Sequence, residues 1–348
     1  MASTESPAIH SLAVFSTQPY DRQYLSAQLT TQFGDASPFK IDFYTVSLTP
    51  LTAKLAASHT AVCVFVNDIL TAPVLQHLAS LGVKAILLRC AGFNNVDLLA
   101  AKSLGFFVAH VPSYSPEAVA EFAVALIQTL NRNTHRAYNR VREGNFALHG
   151  LLGQTLHGKT VGVVGTGRIG LCFARIMRGF GCRVLAYDVY KSKDFETEKL
   201  GTYVELAQLL QESDVVSLHC PLLESTRHLV REETLAQMKD RALLVNTSRG
   251  GLIDTKAVIQ ALKAGKLRGL ALDVYEAEAP LFYSDHSGEV MQDEVFARLM
   301  TFPNVIVCSH QGFFTEEALG EISAVTVGNM VEFMEGRGRV ARNSLIKD

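Results

Sequence analysis

The amino-acid sequence predicts an α/β protein built from two doubly wound parallel sheets. Three observations carry this expectation. The chain has 348 residues, 48% of them hydrophobic and 19% charged, which is too long for one ordinary core and apolar enough to bury two. Short apolar runs alternate with helical patterns through both halves, as parallel strands joined by crossover helices require. One such run, Val161–Val164, leads through Gly165-x-Gly167-x-x-Gly170 straight into a helical stretch.

In the first half, Ile9–Phe15 reads as a buried strand and Pro19–Leu29 as a helix. Strands are expected again at Phe39–Tyr44, Ala61–Val66, Ala85–Leu88 and Phe106–Val111, separated by helices at Leu51–Ala57, Thr71–Leu81 and Asp97–Leu104. The turn from Arg89 through Gly92, Asn94 and Asn95 to Asp97 admits two readings. Its backbone N–H groups could cup a small carboxylate, or it is an Asn/Asp helix cap after a glycine turn, which is the plainer reading. Val111-Pro-Ser-Tyr114-Ser-Pro116 punctuates the chain and marks a domain boundary. The helix Glu117–Asn131 follows, with Ser115 at its cap and Pro116 at its first position. It is apolar nearly all round, so it should be buried between domains or against another subunit. Beyond it Arg132, Arg136 and Arg140 recur on one helical face, read as an exposed or subunit-facing side rather than a phosphate site, because the chain is not basic elsewhere.

In the second half, strands are expected at Val161–Val164, Val184–Tyr187, Val215–Leu218, Ala242–Val245, Gly269–Leu272 and Val305–Val307. Helices at Ile169–Phe180, Tyr203–Gln211, Glu232–Met238 and Thr255–Ala264 separate them, which makes a six-stranded Rossmann nucleotide fold. A closing helical stretch, Thr315–Glu335, and a short tail should pack back on the N-terminal unit.

The glycine turn explains itself physically. Gly165 permits the tight turn, Gly167 lets a pyrophosphate reach bare backbone, and Gly170 lets helix approach strand, while the helix N-terminus presents free N–H groups and a positive dipole. The second strand of this half ends in Asp188, whose carboxylate can accept hydrogen bonds from both ribose hydroxyls of NAD and would repel the 2′-phosphate of NADP. In an open parallel sheet ligands bind beyond the carboxyl ends of the strands, and those ends carry Arg249, Glu278 and His310. Each alone has a dull explanation as surface, loop or structural residue, but their convergence on one rim beside a nicotinamide has a chemical sense. Hydride delivery leaves negative charge on a carbonyl oxygen, and a histidine can supply the proton near neutrality. A carboxylate on the other ring nitrogen, here Glu278, fixes its tautomer. Arg249 can grip a substrate carboxylate with two parallel hydrogen bonds. The substrate is then a 2-oxo acid reduced to a 2-hydroxy acid.

The remaining composition excludes other classes. A formal net charge of −2 indicates neither nucleic acid nor an acidic membrane as partner. The six cysteines stand singly with no Cys-x-x-Cys pair, so no metal site or disulfide framework is indicated. The start lacks a secretory pattern and no apolar run approaches a membrane span, which points to the cytoplasm.

Gly165-x-Gly167-x-x-Gly170, Asn246-Thr-Ser-Arg249-Gly250, Asp273-x-x-x-x-Glu278 and Ser309-His310 together resemble the D-isomer-specific 2-hydroxyacid dehydrogenases, over nearly the whole chain. Phe65-Val-Asn-Asp68, the Arg89–Asp97 turn, Tyr114-Ser-Pro-Glu-Ala118 and His219-Cys-Pro-Leu222 are similar to the D-lactate dehydrogenase branch. The resemblance implies a flavodoxin-like substrate domain, residues 1–111 completed by 311–348, beside an NAD-binding domain over 112–310. It implies that Arg249 orients the carboxylate, His310 is the acid/base and Glu278 its partner, in reversible reduction of pyruvate to D-lactate. It places Arg168, Ile169, Cys220, Pro221, Thr247, Ser248 and Asp273 along the cofactor cleft. It gives Gly92, Tyr114 and Phe313 to the substrate pocket, and it implies a homodimer or homotetramer through the region of Glu117–Asn131 and its basic extension. Reduction of hydroxypyruvate, glyoxylate or a bulkier 2-oxo acid remains open within the family, as does an NAD-sensing corepressor that shares fold and triad. The D-stereochemistry rests on the resemblance alone. Met1–Ala8 and Arg337–Asp348 match nothing informative.

Overall fold

A computed structural model of the chain describes residues 10–279 and 281–347, apart from the side chain of residue 339. The extension Met1–Ala8 therefore lies outside the described residues. The chain divides into two compact units, one running up to Ser115 and resuming at Phe314, the other Pro116–Phe313. Both boundaries fall a few residues beyond the Val111 and His310 expected from sequence. Pro116 already begins a helix of the second unit, and Gln311 and Gly312 are hydrogen-bonded into it.

The first unit carries β1 (His10–Val14), β2 (Phe39–Phe43), β3 (Ala61–Val64), β4 (Ala85–Leu88) and β5 (Phe107–Ala109) in the order β2-β1-β3-β4-β5, all parallel. That is the flavodoxin-like order, with its switch point between β1 and β3. Leu12, Ala13 and Val14 are fully buried, as a strand covered on both faces must be. Helices α1 (Pro19–Phe33), α2 (Ala72–Ser80) and α3 (Leu98–Ser103) connect them. Asp97 caps α3 by accepting from the Ala100 N–H at 2.9 Å, so the plain helix-cap reading of the Arg89–Asp97 turn describes its far end. Leu51–Ala57 forms only a short 3₁₀ turn, Ala53–Ala56, because Thr49 and Thr52 hydroxyls draw the backbone into local bonds. The closing helix Glu316–Met334 returns to this unit, and Val327 and Met330 join its core.

Beneath the sheet's carboxyl end lies a buried polar network. Arg89, 1% exposed, donates from Nε to Asp21 Oδ1 at 3.0 Å and from Nη2 to the Ser16 carbonyl at 2.8 Å, with its guanidinium over the Phe65 ring. Asp68, fully buried, accepts from Ser16 Oγ, Leu48 N–H and Phe65 N–H, each at 2.7 Å. Burial raises its carboxyl above the ordinary value, against the pull of these donors and of Arg89. Asn95 ties the glycine turn to the same place by donating to the Phe65 and Asp68 carbonyls.

The second unit carries β6 (Thr160–Val164), β7 (Arg183–Tyr187), β8 (Thr202–Tyr203), β9 (Val215–Leu218), β10 (Ala242–Asn246), β11 (Leu267–Leu272) and β12 (Val305–Val307). All are parallel, in the order β12-β11-β10-β9-β6-β7-β8, a Rossmann sheet with one strand more than the sequence suggests. The extra strand, two residues long, gives no periodicity to read. It also corrects Tyr203–Gln211, whose first residue is strand and whose helix begins at Leu206.

The helices here are α4 (Pro116–Arg132), α5 (Thr134–Arg142), α6 (Arg168–Gly179), α7 (Lys193–Thr197), α8 (Leu206–Glu212), α9 (Glu232–Gln237), α10 (Thr255–Lys263) and α11 (Glu294–Met300). Of these, α7 and α11 have no counterpart among the helices expected from sequence. The expectation that the apolar α4 is buried between domains or against another subunit gives way to a simpler finding: its Ala120, Ala123 and Ile127 lie in this unit's own core with Phe173 and Ala174 of α6. The expected continuous arginine stripe is not one helix. Asn133 takes a left-handed conformation, φ +53°, which separates Arg132 at the end of α4 from Arg136 and Arg140 in α5. Arg136 and Arg140 instead donate to the carbonyls of Gly150 and His149, at 3.3 and 2.7 Å. The excursion closes where Asn131 and Gln154 exchange two hydrogen bonds, 2.8 and 3.1 Å. Among the described residues no helix is long and apolar enough to cross a membrane.

Arg89→Met should strip a buried cation from beside Asp21 and Asp68 and cost about 3–5 kcal/mol of unfolding free energy. Urea denaturation checks this, and a loss under about 1 kcal/mol would make the network dispensable.

Candidate active site

β6 and β9 are neighbours in the second sheet, so connections leave in opposite directions there and open a crevice at their carboxyl ends. The glycine turn fills one side of it. Gly165 has φ +97° and its N–H reaches the Tyr187 carbonyl at 2.8 Å; a Cβ here would sit 2.6 Å from the Cys220 nitrogen. A Cβ on Gly170 would overlap the Gly165 carbonyl oxygen. At Gly167 a Cβ would meet nothing within 4 Å, so no protein neighbour demands this glycine. It is the N-cap of α6 and offers no side chain to the helix's first N–H groups. Bare backbone, an uncapped helix N-terminus and open space together fit a dinucleotide pyrophosphate. Arg168 opens the helix exposed, and Ile169 is half-buried.

Asp188, half-buried at the end of β7, is held in place by residues that sequence reasoning misses. Its Oδ2 accepts from the Thr166 N–H at 2.6 Å and the Thr166 hydroxyl at 3.1 Å, and Oδ1 accepts from the Tyr190 N–H. Tyr203 in turn donates to the Thr166 hydroxyl at 2.8 Å. Thr166 sits inside the glycine motif, a position that invites suspicion. Tyr203 carries no signal in sequence.

After β9, His219 pairs with the Ser217 hydroxyl at 2.9 Å and tilts against Phe173. Desolvation lowers its pKa to about 3, so it is neutral. Burial pushes the Cys220 thiol up to about 11, leaving it unreactive near neutrality. The Cys220 carbonyl accepts from the Ser248 hydroxyl at 2.7 Å, and Pro221 is exposed beside it. Thr247 is nearly buried with its hydroxyl unpartnered among the described residues, a polar atom left over for a ligand.

The loop after β10 is shaped by Asn246, whose buried side chain accepts from the Ser248 N–H at 3.0 Å and donates to the Arg249 carbonyl at 2.8 Å. This fold-back presents Arg249, half-buried, with Nη1 on the Ser248 carbonyl. Gly250 must be glycine, since a Cβ would overlap the Tyr275 main chain in the loop after β11.

That loop carries Glu278. Its Oε2 accepts from the Tyr275 N–H at 2.9 Å, and its Oε1 lies 2.8 Å from Nδ1 of His310. A carboxylate only accepts, so Nδ1 carries the hydrogen and Nε2 is left facing the chemistry. His310 follows β12 with φ +58°. Asp273, at the end of β11 and 1% exposed, secures that conformation. Its carbonyl accepts from the His310 N–H at 2.7 Å, and its carboxylate accepts from the Gln311 and Gly312 N–H groups, each at 2.8 Å. Burial raises the Asp273 carboxyl, while His310 and the two N–H donors pull it down.

Arg249, Glu278 and His310 thus stand after three adjacent strands of one sheet, with direct contact between the last two. Phe313 is buried at the end of this unit. Gly92 and Tyr114 belong to the other unit, where the Gly92 carbonyl accepts from the Cys90 thiol at 3.3 Å.

Residues 124–312 match the family described as D-isomer specific 2-hydroxyacid dehydrogenase, NAD binding domain. The chain is 62% identical over 337 residues to 2-hydroxyacid dehydrogenase A of Aspergillus oryzae, covering 97% of this chain and 95% of that one. It is 59% identical to the D-lactate dehydrogenase kk1H of Curvularia clavata, covering 93% and 92%. Among solved structures, the apo form of D-lactate dehydrogenase from Escherichia coli superposes with a TM-score of 0.85 at 49% identity, covering 97% and 100%.

Two alanine substitutions separate ligand demand from packing demand in the glycine turn. Gly167→Ala should leave thermal unfolding unchanged and weaken NADH at least about tenfold, because only a ligand competes for that space. Gly170→Ala should lower the unfolding midpoint as well, because helix and strand must move apart. NADH fluorescence titration and calorimetry read the two, and equal behaviour would cancel the distinction.

Proposed function

We propose that the chain, which belongs to the D-isomer-specific 2-hydroxyacid dehydrogenase family and is an NAD-dependent enzyme, reduces pyruvate reversibly to D-lactate. The observation that carries this reading is the Glu278–His310 pair, 2.8 Å apart, on the rim that also bears Arg249 and the glycine turn. NAD, when bound, supplies or takes up the hydride. The residues do the rest.

Arg249 holds the substrate carboxylate through its planar fork and fixes the neighbouring carbonyl carbon. Protonated His310 gives its Nε2 proton to the oxygen on which charge develops and recovers it in the reverse direction. Glu278 keeps Nδ1 protonated, so that Nε2 alone exchanges protons. Asp188 takes the adenosine ribose hydroxyls, with Thr166 and Tyr203 setting its angle. The uncapped N-terminus of α6 takes the pyrophosphate, with Arg168 and Ile169 beside it. Cys220, Pro221, Thr247, Ser248 and Asp273 line the same crevice, Asp273 mainly by anchoring the His310 loop. Gly92, Tyr114 and Phe313 are carried as substrate contacts by the family resemblance.

The preference for pyruvate is supported by relatives named D-lactate dehydrogenase, at 59% identity and at 49% in the structural superposition. Assembly as a homodimer or homotetramer is supported by the exposed Phe146, Leu148 and Leu152 on the excursion after α5. A reducing, cytoplasmic setting is supported by the six cysteines standing singly in the sequence, with no Cys-x-x-Cys pair.

NADH oxidation measured with pyruvate, phenylpyruvate, hydroxypyruvate and glyoxylate should give the highest kcat/KM with pyruvate, and chiral chromatography should return D-lactate. L-lactate, or preference for another acid, would overturn the assignment, and NADH binding without turnover of any 2-oxo acid would favour a sensor. His310→Gln should cut kcat by about 10²–10⁴ while NADH affinity stays nearly unchanged. Collapse of NADH binding instead would make His310 structural.

A further inference from the structure

The backbone at His310 is strained, and one aromatic residue outside the expected site answers that strain. His310 has φ +58° and Tyr283 has φ +68°, both in the left-handed region that few residues other than glycine adopt. The two are joined. Tyr283 donates its hydroxyl to the His310 carbonyl at 3.2 Å, and its ring lies 6.1 Å from the imidazole, tilted by 35°.

Among the described residues the hydrogen bonds of His310 leave one ring nitrogen over. Its main-chain N–H is on the Asp273 carbonyl, its carbonyl takes the Tyr283 hydroxyl, and Nδ1 is on Glu278. Only Nε2 remains for a reactant. The residues that close on the ring and on the backbone come from one turn. Leu281 and Phe282 N–H groups both reach the Glu278 carbonyl at 2.9 Å, and buried Phe282 packs against Phe296, which anchors the turn in the core. Glu278 and Tyr283 together hold the histidine by its side chain and by its main chain.

We propose that Tyr283 is a positioning residue for the reaction. Its hydroxyl holds the His310 carbonyl, the one main-chain group there that Asp273 does not hold, and so completes the restraint that keeps Nε2 in one orientation. This rests on the acid/base role proposed for His310. Tyr283 touches no reacting atom and acts through the imidazole.

Tyr283→Phe removes the hydroxyl and retains the ring. kcat for pyruvate reduction should fall about fivefold, the effect of one lost hydrogen bond, with NADH affinity unchanged. KM for pyruvate should stay nearly unchanged, because Arg249 and not the histidine holds the substrate carboxylate. In a His310→Gln background the same substitution should change kcat by less than about 1.5-fold, as expected of a residue that works only through the histidine. An unaltered kcat in Tyr283→Phe, or a rise in KM that accounts for the whole loss of kcat/KM, would overturn the proposal. So would a full fivefold loss that persists when Tyr283→Phe is added to His310→Gln. Near-normal activity of His310→Gln itself would instead sink the acid/base assignment, so the two failures are distinguishable.

Discussion

Asp273 is the interaction on which the second unit's chemistry depends. Its N–H joins the Asn246 carbonyl at 2.9 Å, its carbonyl receives the His310 N–H, and its carboxylate receives the next two N–H groups. One buried residue thereby ties the ends of β10, β11 and β12 into a single rigid edge. A carboxylate so far from water is costly, and only charge-assisted hydrogen bonds and the nearby imidazole make its burial tolerable. Were this edge to loosen, Arg249, Glu278 and His310 would each remain present and each point elsewhere.

Much of this is legible in the sequence, for a definite reason. In a parallel sheet every carboxyl end faces the same side, so residues distant in the chain can be placed on one rim merely by finding the strands. Gly165, Asp188, Arg249, Glu278 and His310 are all found that way. What stays hidden depends on side chains meeting across the fold. Tyr203 supports Asp188 through Thr166, and Tyr283 reaches His310, with no spacing rule to announce either. Asp273 is expected along the cofactor crevice because of family resemblance, but its anchoring of backbone needs coordinates. The arginine stripe fails because helical periodicity does not run through Asn133, a residue type that tolerates left-handed backbone.

Glycine and asparagine set the precision of the rim as much as the charged residues do. Gly170 lies so close to Gly165, and Gly250 so close to Tyr275, that neither can carry even a methyl group without repacking. Asn246 folds its own loop from both sides and so presents Arg249 in one orientation. The first unit handles the same problem differently, with Arg89, Asp21 and Asp68 clamping four chain segments beneath the Gly92 turn. In both cases polar groups are buried because they fix loop geometry, which apolar packing does less specifically.

The clasp between Asn131 and Gln154 has a consequence for how such a chain can evolve. The segment between them leaves and re-enters the core at one point, and it spends its own arginines on its own carbonyls. It is a cassette. Its sequence and length can change while the crevice at the carboxyl ends of the strands is left undisturbed, because among the described residues none in that crevice leans on it for its hydrogen bonds.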